Sequence, residues 1–528
     1  MAKTRPYLFY DIAISICSTC YRKLEAKIIF QDDNVYLLKR CPHHGSEKIL
    51  LADDVDYYRR CREVFIKPPE MPLVYNTPVK WGCPYDCGLC TDHEQHSCLT
   101  LVEICDYCNL RCPVCYADSG PERQQFRTLD QIERMLDAVV RNEGHPDVVQ
   151  LSGGEPTVHP NFFEIVELAK ARPIKHLMVN TNGVRIAQDE EFVKRLAQVK
   201  EDFEVYLQFD SFEREPLMQL RGADLRRVRE DALEKLNRYN ISTNLVVTLK
   251  KGLNDHEIGK TIDYALQQPC VRGVTFQPIQ DAGRLESWVP ADSNPGATEQ
   301  DCHPERSMNF REAEDHAESR DLGFDLGRRS VRNFNPATDR LTLTEVRRKI
   351  LQQTNVFRPE DVIPVPCHPD SLAMAYALKL GGKIIPLTSM IPPEILINGA
   401  SNTILYEQEA AVRDNLFKLF STNHSPRSGA GSLRELLCCL PKVLVPDNIT
   451  YENIFRVIIM QFLDAHSFDV RSVKKTCVHI VHPDGRLIPF DTYNLFYRDD
   501  LEQTRLDPLR LDSRRLDSLT NDLSAAAT

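Results

Sequence analysis

Cys108-Asn109-Leu110-Arg111-Cys112-Pro113-Val114-Cys115 is the stretch whose reading decides the fold. Its three thiols are separated by three and then two residues, and it opens directly after the apolar run Leu99-Thr100-Leu101-Val102-Glu103-Ile104. Three thiolates hold three corners of a four-iron cluster and leave the fourth iron without a protein ligand, a place where a small molecule can bind. Further along comes Leu151-Ser152-Gly153-Gly154-Glu155-Pro156-Thr157, where two glycines let the backbone approach a ligand and the acid can take an amine.

In this order, each at the end of an expected strand, the two segments resemble the radical S-adenosylmethionine (SAM) superfamily. The resemblance implies a cluster on Cys108, Cys112 and Cys115, with the methionine amine and carboxylate of SAM on the open iron. One electron then breaks a carbon–sulfur bond and releases a 5′-deoxyadenosyl radical. It also implies that Ser152, Gly153, Gly154 and Glu155 meet the amine, and that Thr181, Asn182, Gln208 and Asp210 contact ribose and carboxylate. Helix caps and turns are the competing reading of those last four. Thr275, Gln277 and Pro278 resemble the adenine-backbone contact, and no side chain is assigned as a catalytic acid or base. One departure concerns adenine: the superfamily carries an aromatic before the third cysteine, whereas here Val114 precedes Cys115 and Tyr116 follows it.

From Leu99 to Arg284, β-branched runs at 100–105, 148–151, 177–180, 205–209, 244–248 and 273–276 alternate with helical periodicity at 128–142, 161–172, 189–199, 224–238 and 255–268. Six such units predict an α/β fold, a partial (β/α)6 barrel with a parallel sheet, whose ligands sit beyond the carboxyl ends of the strands.

Twelve of the eighteen cysteines fall before residue 116, in knuckle spacings rather than a secreted framework, so they read as metal ligands in a reducing cytoplasm. Cys17, Cys20 and Cys41 flank a hairpin at 26–38 as in a rubredoxin or zinc ribbon, and would hold mononuclear iron or zinc. His44 is favoured as fourth ligand, with Cys61 as competitor. Cys83, Cys87 and Cys90 repeat the triplet spacing, and Cys98 can close an auxiliary four-iron set. Cys105 reads as a buried strand-end thiol, and His93 and His96 as solvated or flanking groups rather than ligands.

The remaining organisation follows composition. Residues 1–70 form the N-terminal metal module, 71–98 the auxiliary segment, 99–284 the barrel, 285–338 a polar excursion or lid, 339–498 a C-terminal α+β domain and 499–528 a solvated tail. The net charge of −11 argues against a nucleic-acid binder. No apolar run reaches the roughly 20 residues of a membrane span, so a lipid substrate would enter a cleft, with at most peripheral membrane contact.

Within the superfamily the chain resembles tetraether lipid synthase and its relatives, among them pterin methyltransferases. The carrying segments are the cysteine sets above, with Pro366-Cys367-His368-Pro369 and His482-Pro483-Asp484-Gly485 near the end. The likeness implies two or three [4Fe-4S] clusters, with Cys367 and Cys477 as candidates for a third, and an electron donor such as ferredoxin or flavodoxin. It implies carbon–carbon coupling of saturated lipid chains, with methylation of a pterin as the alternative. A non-catalytic multi-zinc adaptor is the reading of another class.

Overall fold

The computed structural model describes residues 5–64, 71–289, 328–330, 334–365, 368–380, 382–389 and 453–511. Alternation of β-branched runs with amphipathic segments dominates it. The strands are β1 Leu8–Ile16, β2 Lys23–Gln31, β3 Asn34–Cys41, β4 Gly45–Ala52, β5 Leu99–Cys105, β6 Val114–Cys115, β7 Val148–Gly153, β8 His176–Thr181, β9 Phe203–Gln208 and β10 Thr243–Leu249. They continue as β11 Val271–Pro278, β12 Arg284–Leu285, β13 Ser287–Val289, β14 Arg328–Ser330, β15 Ile363–Pro364, β16 Leu372–Leu380, β17 Lys383–Pro386, β18 Ile454–Met460, β19 Val478–Val481 and β20 Leu487–Pro489. The helices are α1 Val55–Glu63, α2 Leu129–Glu143, α3 Phe162–Lys170, α4 Val184–Gln188, α5 Glu190–Gln198, α6 Arg214–Arg221, α7 Arg226–Tyr239, α8 Ile258–Gln267, α9 Leu343–Gln353, α10 Val470–Lys474 and the single turn α11 Phe490–Thr492.

Six parallel strands in chain order, β5-β7-β8-β9-β10-β11, form the centre of a 12-stranded sheet. The sheet is open, as a partial barrel requires. The C-terminal segment is not a second sheet of its own: β18 pairs parallel with β11 and β19 parallel with β5, so it extends both edges of the barrel sheet. This covers strand edges that would otherwise be exposed templates for pairing. The N-terminal strands form a separate antiparallel sheet in the order β1-β2-β3-β4. Asp32 and Asp33, both at positive φ, make the two-residue turn of the β2–β3 hairpin.

Strand alternation sorts the core. Val149, Leu151, Val179, Val205, Leu207, Leu245 and Val247 face the helices in one apolar cluster. Leu99, Leu101, Val148, Met178, Tyr206, Val246 and Met460 belong to a second cluster, with Phe490, Tyr493 and Phe496 from the C-terminal segment. Gln150, Asn180, Gln208 and Thr248 share that second face by parity. Among the described residues no helix is long and apolar enough to cross a membrane.

Buried ion pairs brace the layers. Burial alone would raise the Glu204 carboxyl, but the Arg456 guanidinium and the His176 ring overcome it and hold the group at about 2. Arg456→Met leaves that carboxylate buried without its cation, and should cost about 3 kcal/mol of unfolding free energy at pH 7. The sign of the pH dependence follows. Native Glu204 is ionised throughout pH 5–8, whereas the stranded carboxyl is pushed above its ordinary value and takes up a proton as pH falls. The deficit should therefore shrink from pH 8 to pH 5 in urea titrations followed by circular dichroism.

Candidate active site

The loop after β5 carries the triplet. Cys108 and Cys112 are buried and Cys115 half-buried, and burial raises the Cys108 thiol, with Cys112 and Cys115 among its charged neighbours raising it further. Cys105 lies apart from them, in the helix-side core; its Sγ donates to the Tyr107 carbonyl at 3.5 Å, and burial pushes it up to about 12. The segment 283–286, at the border where the sequence reads a polar excursion, clamps the triplet loop from the other side. Arg284 Nε donates to the Cys112 carbonyl at 2.7 Å, and β12 pairs with β6 through Arg284↔Cys115 and Leu285↔Val114. A Cβ on Gly283 would meet the carbonyl oxygens of Cys115 and Tyr116 at 2.3 and 2.4 Å. Neither Gly283 nor Arg284 belongs to a motif, so sequence reasoning passed over both.

Gly153 and Gly154 are needed for an approach of backbone to backbone. A Cβ on Gly153 would lie 2.1 Å from the Cys105 carbonyl oxygen, and one on Gly154 1.9 Å from that of Tyr107. The N–H groups of Gly154 and Glu155 donate to those same oxygens at 2.8 and 2.9 Å, so the glycines lock the end of β7 to the entrance of the cysteine loop. Glu155 is fully buried. Its Oε1 accepts from the Thr157 and Thr181 hydroxyls at 2.5 and 2.7 Å, and its Oε2 from the Asn182 N–H at 2.7 Å. Burial raises the Glu155 carboxyl, and these bonds oppose the rise. The acid expected to take an amine is thus also the knot between the β7 and β8 exits. Asn182 extends the knot, donating to Asn109 Oδ1 at 2.7 Å.

Ser152 departs from its expected place: its Oγ meets the Tyr116 hydroxyl at 2.9 Å rather than an open site. Asp210, at φ 67°, is spent inside the protein. Arg221 grips both its oxygens at 2.8 Å, Arg229 adds a bond at 2.8 Å, and the Thr248 N–H another at 3.0 Å. Burial opposes ionisation of Asp210, yet Arg221 and Arg229 hold it at about 2. Gln208 donates to Asp210 Oδ1 and Thr248 Oγ1 at 3.0 and 3.2 Å. The cations, not Asp210, reach the open space. One signal for Arg229 was in the sequence, because it sits on the apolar stripe of α7 with Ala232, Leu233 and Leu236.

These groups surround a cavity of about 160 Å³ at the carboxyl ends of the central strands, lined by the three cysteines and by Gly153, Gly154 and Glu155, with Arg221 and Arg229 on its wall. Arg229 Nε and Nη1, Gln150 Nε2 and Gln280 Oε1 are buried without hydrogen-bond partners in the structure. Tyr116 packs on Phe490 at 5.0 Å between ring centroids, and Phe490 stacks on Phe462 at 3.9 Å. All three line the same cavity.

Residues 102–265 match the family model described as the radical SAM superfamily, and residues 9–53 match one described as the HMPTM N-terminal zinc ribbon domain. The protein is a radical SAM enzyme. It is 27% identical to a 7,8-dihydro-6-hydroxymethylpterin dimethyltransferase from Methanocaldococcus jannaschii, over 94% of this chain and 96% of that one. It is 31% identical to a GTP 3′,8-cyclase from Actinobacillus succinogenes over 35% of this chain, spanning 55% of that relative. Among solved structures, Streptococcus suis SuiB bound to its precursor peptide SuiA matches 54% of this chain and 67% of that one at 13% identity, with a TM-score of 0.32.

The radical SAM site fits the groups its family implies. Three neighbouring thiols, of which burial raises those of Cys108 and Cys112, form a donor set that a cationic cluster would relieve. Unpaired donors on Arg229 suit an anionic group such as the carboxylate of SAM. When bound, the cluster and SAM supply reductive cleavage of a sulfonium carbon–sulfur bond. The chain's own part is to hold the loops, to present Arg221 and Arg229, and to line the space with Gly153 and Gly154.

At the N-terminal ribbon, Cys17, Cys20, Cys41 and His44 bring one donor atom each within 4.8 Å of the others, the one such group of three or more among the described residues. His44 Nδ1 lies 3.5 Å from both Cys17 and Cys41 Sγ. Cys61, the competitor for fourth ligand, lies instead on α1 in the helix-side core. Cys83, Cys87 and Cys90 sit together, where burial and then the Cys83 thiol raise Cys87, whose Sγ accepts from Thr492 Oγ1 at 2.9 Å. Cys98 Sγ lies 3.6 Å from His96 Nε2, and the carbonyl of Cys477 accepts from the Leu99 N–H at 3.1 Å. His93 is buried, not solvated, with its Nε2 3.1 Å from that of His479. Cys367 lies outside the described residues.

Gly154→Ala should force the β7 exit off the cysteine loop and lower SAM affinity at least tenfold in equilibrium dialysis, with the N-terminal metal retained. Cys41→Ala should remove one equivalent of tetrahedral metal, read by plasma mass spectrometry, and unfold the ribbon, since such sites supply folding free energy directly.

Proposed function

We propose that this radical SAM enzyme methylates a flat pterin-like heterocycle. The observation that carries the reading is the end-to-end similarity to a named pterin dimethyltransferase, which spans 94% of this chain and takes in the ribbon as well as the barrel. The aromatic wall of Tyr116, Phe490 and Phe462 suits a planar ring. A one-electron donor such as reduced flavodoxin or ferredoxin feeds the cluster, and Cys83, Cys87 and Cys90 hold an auxiliary one. Coupling of saturated lipid chains is a second reading, favoured by the apolar floor of Leu99, Leu101, Val246, Met460 and Val478 in the same cavity.

The test is anaerobic turnover with trideuteromethyl-labelled SAM and reductant, in the presence of 6-hydroxymethyl-7,8-dihydropterin or of extracted lipid. The pterin should stimulate 5′-deoxyadenosine release and gain a labelled methyl group by mass spectrometry. An unchanged pterin beside newly joined lipid chains would replace this reading by the second. Failure of both to stimulate release rejects both.

A further inference from the structure

Gln150 is a buried amide whose donor has no acceptor. It stands at the middle of β7, three residues before Gly153, and so about 10 Å deeper in the sheet than the start of the glycine pair. It is 4% exposed, its Nε2 makes no hydrogen bond, and its side chain lines the cavity. Buried polar groups are paired in the great majority of cases, so an exception that borders open space points to a ligand that supplies the missing partner.

The surroundings restrict what that partner is. Leu101 and Met178 are its register neighbours on β5 and β8, and Leu101, Val246 and Val478 line the same space. Another amide on the cavity wall is already engaged: Gln277 Nε2 donates to the Tyr206 hydroxyl at 3.3 Å and contacts Met460 Sδ at 3.7 Å. Phe490 and Phe462, stacked with an interplanar angle of 28°, offer a flat apolar face. The other unpaired groups lie elsewhere. Gln280 lies beyond the end of β11, and Arg229, on α7, is anchored by Asp210. A hydrocarbon chain would leave the Gln150 N–H unsatisfied, whereas a planar ring bearing a carbonyl satisfies it and covers the aromatic face at once.

We propose that Gln150 is a substrate-recognition residue, its amide N–H donating to the ring carbonyl of a flat heterocycle that lies along Phe490. This rests on the pterin reading of the site and specifies which edge of the ring points into the barrel. The charge of the ring is immaterial to the contact; the acceptor is what the site selects.

The experiment is anaerobic equilibrium binding of 6-hydroxymethyl-7,8-dihydropterin to the cluster-loaded, SAM-bound enzyme, with Gln150→Leu and Gln150→Glu beside the wild type. Leu removes the donor and keeps the bulk; Glu is nearly isosteric and, when ionised, offers acceptors only. Both should raise the pterin Kd 10- to 100-fold while the SAM Kd and the cluster absorbance stay at wild-type values. Equal pterin affinity in wild type and variants overturns the role of Gln150 and leaves the pterin reading standing. A loss confined to SAM affinity overturns it too, by assigning Gln150 to the cofactor. A wild type that does not bind the pterin removes both the reading and the inference. Should the variants lose their cluster, the wild type decides alone: a 2-aminopteridine lacking the ring carbonyl should bind 10- to 100-fold more weakly than the pterin, and equal binding overturns the proposal.

Discussion

The contact between the glycine pair and the backbone of 105–107 is the constraint on which the rest of the site depends. Hydrogen bonds of 2.8 and 2.9 Å run from Gly154 and Glu155 to the Cys105 and Tyr107 carbonyls, and side chains at 153 or 154 would occupy the same volume as those oxygens. The end of β7 is thereby fixed to the entrance of the cysteine loop. Glu155 passes the constraint on to Thr181 and Asn182, and Asn182 returns it to Asn109 inside the loop. Three segments, the cysteine loop and the exits of β7 and β8, form a closed circuit beside the cavity. A ligand that must bridge cysteines and strand ends needs that rigidity, because small displacements in such a site are costly.

Four buried carboxylates are met by arginines: Asp210 by Arg221 and Arg229, Glu204 by Arg456, Asp464 by Arg340, Glu103 by Arg498. These pairs do different work according to place. Glu103–Arg498 ties the C-terminal segment to β5, and Arg340–Asp464 joins the segment before α9 to the loop after β18. At Asp210 the pairing orients two arginines of which one keeps unpaired N–H groups beside the cavity. Such pairs add little net stability compared with apolar packing, but removing one partner is expensive, so they fix geometry.

The N-terminal ribbon is fastened to this framework. Lys39 Nζ donates to the carbonyls of Ile16 and Ala465 at 2.8 and 2.7 Å, the first within the ribbon and the second on the loop after β18. Burial lowers the Lys39 amine, while Glu47 and Asp464 favour its charge. The Lys23 N–H reaches the Tyr85 hydroxyl at 3.0 Å, linking the ribbon to the segment of Cys83, Cys87 and Cys90. The cysteine-rich segments thus share a continuous set of contacts with the barrel.

The sequence by itself determined the six β/α units, because period-2 runs and 3.6-residue periodicity are local properties of the chain: β5, β7, β8, β9, β10 and β11 lie where the runs at 100–105, 148–151, 177–180, 205–209, 244–248 and 273–276 put them. Spacing likewise brought Cys17, Cys20, Cys41 and His44 into one group, since a knuckle is a short-range structure. It did not find α6, which lies between β9 and α7 with Arg221 at its end, nor the clamp at Gly283 and Arg284, because neither carries a motif of its own. Tertiary structure decided which polar residues reach open space. Ser152 and Asp210 sit within the motif segments, yet one is taken by Tyr116 and the other by two arginines, while Gln150, in the middle of a strand, keeps a free donor on the cavity. Whether a polar side chain is satisfied depends on partners distant in sequence, and only the folded arrangement specifies them.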